Sequence, residues 1–388
     1  MLFQGYKVDN SQTTIMKYYL KSSILEAIER AKKLKTKYPN GLNIYFQKLA
    51  ESSLIKIDEV ILDLNYYLED ARYQTESNQK HRLKELKKLI RVLDILENVV
   101  VAAINRHDEI DDVRVNVLVQ KICKEINYPL IPPTVTCLSQ EYYRIFPSFN
   151  LLCVPLLECD FLLHLPDLYH ELGHPLIDLE DNPKIEKFQQ ELGNFSFYAR
   201  AHFEKLIEND KRNNNKAFVD LYETWQSYWQ NWSIEFFCDL FGVCTLGPAY
   251  AWAHFHLSAK QGQNPFHVKK SGSHSSHPND EARMQVICCA LDLLGFSREK
   301  KAVLEKWNAL HTIIPYEADD AFELAYPREL LELCATHGIN AVKGIGCVIA
   351  SASNNGVIYS MLNEAWKKFW ENSEDYFTWE AEELKKLH

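Results

Sequence analysis

His170, Glu171 and His174 form an HExxH spacing, the most chemically loaded one in the chain. On a helix, positions i and i+4 share a face, so both imidazoles can be offered to one metal ion. Glu171 then lies beside that ion, where a carboxylate can take a proton from a metal-bound water. Leu162, Leu165, Leu168 and Leu172 supply an apolar helical setting, and Pro175 is expected to end the helix just after the second histidine. Two histidines do not complete a catalytic zinc site, which takes three protein ligands and an open position.

The third ligand is offered downstream, in an aromatic-rich helical pattern that carries Glu235 and Asp239. These two are also four apart and share a face. Glu235 can complete the coordination, and Asp239 can accept the free ring N–H of a liganding histidine and fix its tautomer. An acidic pair on an otherwise apolar helix is costly to bury without partners, so a metal explains it better than packing alone. The bland alternative is that Glu235 is a solvated residue on an amphipathic helix. In a third cluster, His277-Pro278 opens a helix expected to continue its apolar face through Val286, Ile287, Ala290, Leu293 and Leu294. His277 and Arg283 can deliver two cationic or donor groups to one place, suited to an oxyanion forming beside the metal. Alternatively, Asp280 and Arg283 simply pair on the helix surface.

Taken in order, HExxH, ExxxD and HPxxxxR resemble the gluzincin zinc metallopeptidases, and most nearly the soluble relatives of the CAAX prenyl protease and heat-shock membrane protease group. The resemblance covers about residues 161–294. It implies a zincin-like metallopeptidase core with Zn2+ held by His170, His174 and Glu235. Glu171 would be the general base, Asp239 a support behind the ligands, and His277 and Arg283 would hold the transition state or brace the site. Cys238 stands where the family usually has Ala. The membrane spans of the prenyl and heat-shock proteases have no counterpart here, which favours a protein or peptide substrate away from the bilayer.

The elements that must position these residues read as mainly α with at most a small β element. Apolar residues recur at helical spacing from about 14 to 126, with helices expected over 54–67, 83–104 and 110–126. Tyr128-Pro129 to Pro132-Pro133 breaks the pattern. The organisation expected is an N-terminal helical domain over 1–130, a metallopeptidase core over 131–300, and a helical extension over 301–388 packing on the core. Residues 142–146 and 151–157 could be strands, residues 208–216 a mobile loop, and the His-, Ser- and Gly-rich stretch 260–278 a lid that includes His274.

Composition narrows the class. The chain has 388 residues with 53 acidic against 43 basic, a formal charge of −10, which argues against nucleic acid as a partner. Ten cysteines are scattered without a CxxC, and no basic-then-apolar leader opens the chain, so reduced thiols and a cytoplasmic location are expected. No apolar run reaches the length of a membrane span. The GxG at Gly344 and Gly346 lacks the context of a dinucleotide site. His254 and His256, two apart, have the wrong spacing to share one helix face, so core or surface roles are expected for them. The leading expectation is therefore a zinc-dependent endopeptidase, its access controlled by the flanking helices or by an activating or inhibiting protein partner. The alternative is a non-catalytic interaction or regulatory protein with a structural or vestigial zinc site. If Glu235 is a ligand, Glu235→Ala loses the metal on purification, read by elemental analysis; a variant that retains stoichiometric zinc would remove Glu235 from the ligand set.

Overall fold

The computed structural model describes residues 10–69, 79–139, 142–157, 160–179, 182–261, 264–269, 275, 277–313 and 318–387. The protein is mainly α-helical, 74% helix and 3% strand. It divides into two compact units, the first of Met1–Asn116, Thr134–Leu138 and Phe149–Leu151, the second of the remainder.

The first unit is built from α1 (Asn10–Lys35), α2 (Ile44–Glu69) and α3 (Gln79–Ile95), a π-helical turn at Leu96–Val101, and the short α4 (Ala102–Ile104). The start of α5 (Ile110–Glu125) and the strand β1 (Thr134–Thr136) complete it. The second helix begins ten residues before the expected Leu54, because Phe46, Leu49, Ala50 and Ser53 extend the buried stripe of Ile57, Val60 and Leu64 upstream at helical spacing. The helix expected over 83–104 is interrupted by the π turn. Asp112 is fully buried, and this is tolerated because Arg106 grips both its oxygens (3.1 and 2.9 Å) and Thr136 donates its hydroxyl (2.7 Å).

The second unit holds β2 (Arg144–Phe146) and the last two residues of β3 (Leu151–Cys153), both strands shorter than the stretches expected, then α6 (Asp167–Glu171) and α7 (Pro175–Asp178). Two long helices follow, α8 (Glu186–Arg212) and α9 (Lys216–Leu246), and after them α10 (Pro248–Gln261) and α11 (Asp280–Leu293). The chain ends with α12 (Ser297–Ile313), α13 (Phe322–Ala325), α14 (Arg328–Gly344), α15 (Val357–Glu371) and α16 (Ser373–Leu387). The expected mobile loop at 208–216 is instead helical to Arg212, and three asparagines turn the chain directly into α9, Asn214 at φ 55°. Asparagine tolerates that left-handed conformation, so a polar run composed like a loop closes a tight helical hairpin.

From Phe236 onward every residue of α9 is buried. A helix apolar all round belongs in the middle of a core, and α8, α11 and α14 all pack on it. Side chains on α9 therefore meet neighbours from several directions, which is what a buried site requires.

The C-terminal helix reaches the segment that precedes the HExxH residues. Glu380 is buried and accepts both the Leu162 N–H and the Tyr376 hydroxyl (each 2.7 Å). Glu380→Ala leaves both donors unmatched, so thermal melts are expected to show a loss of about 2–4 kcal/mol. Glu380→Gln retains an acceptor and should lie near wild type; an alanine variant as stable as wild type would discount the anchor.

Candidate metal centre

The HExxH residues do not lie on one continuous helix. Helix α6 stops at Glu171, Leu172–Gly173–His174 form a turn, and Pro175 opens α7 as its first residue with His174 as the N-cap. Pro175 has no N–H to give the Glu171 carbonyl, so the helical ladder breaks there, yet the backbone stays right-handed (His174 φ −57°, ψ −45°). The proline thus starts the next turn rather than ending the segment. The two imidazoles remain adjacent, ring centroids 5.1 Å apart.

Two glycines permit this segment and its neighbours to reach α9. A Cβ at Gly173 would lie 2.8 Å from Cys238 Cα, so only glycine lets the turn lie on the α9 backbone. A Cβ at Gly242 would lie 2.5 Å from the Tyr250 ring, which instead passes over the helix to the site.

Asp239 is fully buried and its Oδ1 collects three partners. Arg283 donates from Nη2 (2.6 Å) while its Nε reaches Oδ2 (2.8 Å), the Tyr250 hydroxyl donates (2.5 Å), and His170 Nδ1 lies at 2.9 Å. Burial works against its charge, but the Arg283 guanidinium holds the carboxyl well below the ordinary carboxylate range. Asp239 and Arg283 therefore make a buried bidentate pair from α9 to α11, and Arg283 does not pair with Asp280. Because Nδ1 of His170 faces Asp239, its Nε2 is turned the other way, 3.4 Å from Glu235 Oε2. His277 Nε2 lies 3.5 Å from the same oxygen.

That oxygen is the informative atom. Glu235 Oε2 is buried and has no hydrogen-bond partner. Both histidine nitrogens stand slightly beyond hydrogen-bonding range of that oxygen. A buried carboxylate oxygen facing two imidazoles favours a positive charge on one of them.

The charges agree. Burial favours a neutral His170, but Asp239 and Glu235 outweigh it and raise its pKa to about 10. Burial and the charge of His170 lower His174 to about 4, leaving it neutral. Glu235, against its burial, is drawn down to about 2 by His170. Burial raises Glu171 to about 7. The carboxylates thus favour a positive charge on the His170 ring, Asp239 at Nδ1 foremost and Glu235 at Nε2.

Cys238 is the other donor near the pair: the donor atoms of His170, His174 and Cys238 lie within 4.8 Å of one another. It is fully buried, and burial pushes its thiol well above the ordinary range, with Glu235 and Asp239 adding to the effect. Glu235 lies outside that group of three, but it borders the open space together with His170, its Oε2 3.4 Å from His170 Nε2.

A cavity of about 430 Å³ fronts these groups, lined among others by Tyr142, Asp167, His170, Glu171, Glu235 and His277. The helix expected from His277-Pro278 starts at Asp280, leaving His277 on a loop, and Leu293 of the expected apolar face is exposed. Of the stretch 260–278, His274 lies outside the described residues. Nine of the ten cysteines are described, none of them in a disulfide; Cys159 lies outside.

Three contributors escaped sequence reasoning. Tyr250 comes from α10, and nothing in its local sequence marks it. His254, expected in the core or at the surface, is buried but borders the cavity, its Nε2 3.0 Å from the Asp280 carbonyl. Asp167, which accepts the Tyr142 hydroxyl, precedes His170 by three residues, a helical spacing that could have been noticed. No protein-family model, curated protein or solved structure matches this chain.

Burial raises the Asp167 carboxyl to about 6, partly countered by Tyr142. A carboxyl with a folded pKa above its ordinary 3.8 stabilises the fold below about pH 4 and loses that contribution as pH rises through about 6. Asp167→Asn is neutral throughout, so its melting temperature should exceed that of wild type near pH 7.5, and the advantage should shrink toward pH 4. Because the carboxyl borders the cavity, the expected gain is about 1–2 kcal/mol rather than the full two-unit value. Parallel pH–stability curves for the two proteins would contradict this.

Proposed function

We propose that this chain is a zinc-dependent peptidase with a zincin-like core of the gluzincin kind. The observation that carries the reading is the convergence of three sequence-distant motifs on one cavity, with the unpartnered Glu235 oxygen between His170 and His277. A zinc ion held by His170, His174 and Glu235 would supply Lewis acidity toward a carbonyl oxygen and lower the pKa of water.

The remaining work falls to the chain itself. Arg283 and Tyr250 fix Asp239, and Asp239 fixes His170 through Nδ1, so that Nε2 is committed to the ligand side. Glu171 borders the cavity with a carboxyl raised to about 7, close to the pKa at which a group both takes and returns a proton efficiently near neutral pH. It takes a proton from the attacking water and delivers it to the departing amine. His277, on the cavity wall, is placed to donate to the developing oxyanion. A cavity of about 430 Å³ suits a short length of extended peptide, consistent with a protein or peptide substrate. The large helical regions outside the site are consistent with controlled access and with a regulating protein partner.

A second reading has an observation of its own. The 3.5 Å from His277 Nε2 to Glu235 Oε2 would also suit His277 as a fourth ligand, closing the site and making the metal structural.

The two separate in one experiment. A proteome digest is incubated with wild type and with Glu171→Gln, and new N-termini are counted alongside bound zinc. The peptidase reading expects cleavage by wild type, a loss of at least 100-fold in Glu171→Gln, and equal zinc in both. Full zinc with no cleavage by wild type would support the closed structural site instead.

A further inference from the structure

The loop that carries His277 is fastened on both flanks to one aromatic pair. On the near side, buried Ser275 accepts from Trp232 Nε1 (3.1 Å) and donates its hydroxyl to the His277 carbonyl (3.2 Å). On the far side, the Tyr326 hydroxyl donates to Asn279 Oδ1 (2.5 Å) and accepts the Asn279 backbone N–H (3.2 Å). The Asn279 side-chain amide also donates to the His267 carbonyl. The two rings stack on each other, centroids 4.6 Å apart and planes 25° from parallel. Both are fully or nearly fully buried, and Trp229 Nε1, one turn earlier on α9, donates to the carbonyl of Ala325 next to Tyr326 (2.9 Å).

His277 has little packing of its own, for its side chain is 63% exposed. Its imidazole nevertheless stands 3.5 Å from Glu235 Oε2. The His277 carbonyl and the neighbouring Asn279 are held by these bonds, and both attachments lead to Trp232 and Tyr326. Trp232 precedes Glu235 by three residues on α9, so the same helix that presents the carboxylate also carries the platform for the histidine facing it.

We propose that Tyr326, stacked on Trp232, is a positioning residue that sets His277 against Glu235 through Asn279. The inference rests on the reading that His277 serves the metal cavity, as donor or as ligand. It assigns a task to residues outside all three motifs, one of them some fifty positions beyond His277 in sequence. Outer partners of this kind typically change activity 10- to 100-fold without touching the reacting atoms.

The test uses the full chain with Tyr326→Phe, which keeps the stacked ring and removes only the hydroxyl. Imidazole nitrogen NMR of histidine-labelled protein, metal-free and zinc-loaded, is expected to show the His277 signals shifted or broadened while those of His170 and His174 stay in place. With a cleaved peptide as probe, kcat should fall about 10- to 100-fold at unchanged KM and zinc content, and Tyr326→Phe should add nothing to His277→Ala. Asn279→Ala, which removes the Oδ1 acceptor from the other end, should reproduce the His277 signal change even if Tyr326→Phe folds poorly. Unmoved His277 signals in both variants, or independent multiplicative effects of Tyr326→Phe and His277→Ala, would overturn the proposal. A wild type that cleaves no peptide would defeat the peptidase reading while leaving the NMR comparison to decide this one.

Discussion

An ionised carboxylate in the fully buried second half of α9 is the constraint from which the second unit is organised. Asp239 has no exposure and sits on α9 among Phe236, Phe237, Leu240 and Phe241. Uncompensated, such a charge costs more than a domain's whole stability, so its partners are obligatory. They come from three other elements: Arg283 from α11, Tyr250 from α10 and His170 from α6. Satisfying one carboxylate thus fixes three elements around a fourth. Gly173 and Gly242 are the places where the chain gives up a side chain so that the approach is close enough.

The second carboxylate is left incomplete by the same arrangement. Arg283 is committed to Asp239, so Glu235, one helical turn away, has only histidines before it. Asp239, and after it Glu235, raise His170 to about 10, so its ring favours a positive charge. A proton and a metal ion compete for that place, so metal affinity would weaken as pH falls. Glu171 lies beside them, and burial, with the neighbouring carboxylates Glu235 and Asp167, outweighs His170 and Arg283 and raises it to about 7. One helix face therefore yields two carboxyl environments, an anchored one at Asp239 and an open one at Glu235.

Much of this was legible in the residues. His170 and His174 stay adjacent across the break before Pro175, Glu235 and Asp239 share a face of α9, and the helical class follows from the 3.6-residue recurrence. What could not be read depends on long-range contact or on local backbone detail. Tyr250 and Tyr326 carry no spacing relation to the residues they hold. The break at Pro175 leaves the histidines adjacent, so the sequence pattern is indifferent to it. Residues 208–216 are composed like a loop, yet Asn214 needs only one left-handed residue to turn α8 into α9. The early start of α2 was hidden because Ser53 and Ala50, buried there, do not read as core.

On the reading proposed above, a zinc ion would lie between His170, His174 and Glu235, with Cys238 protonated behind them. X-ray absorption at the zinc edge on the purified protein tests it without reference to activity. The account predicts a stoichiometric metal with a shell of nitrogen and oxygen at about 2.0–2.1 Å and no sulfur. A sulfur neighbour at about 2.3 Å would transfer the third ligand to Cys238, and a protein that takes up no zinc would contradict the account outright.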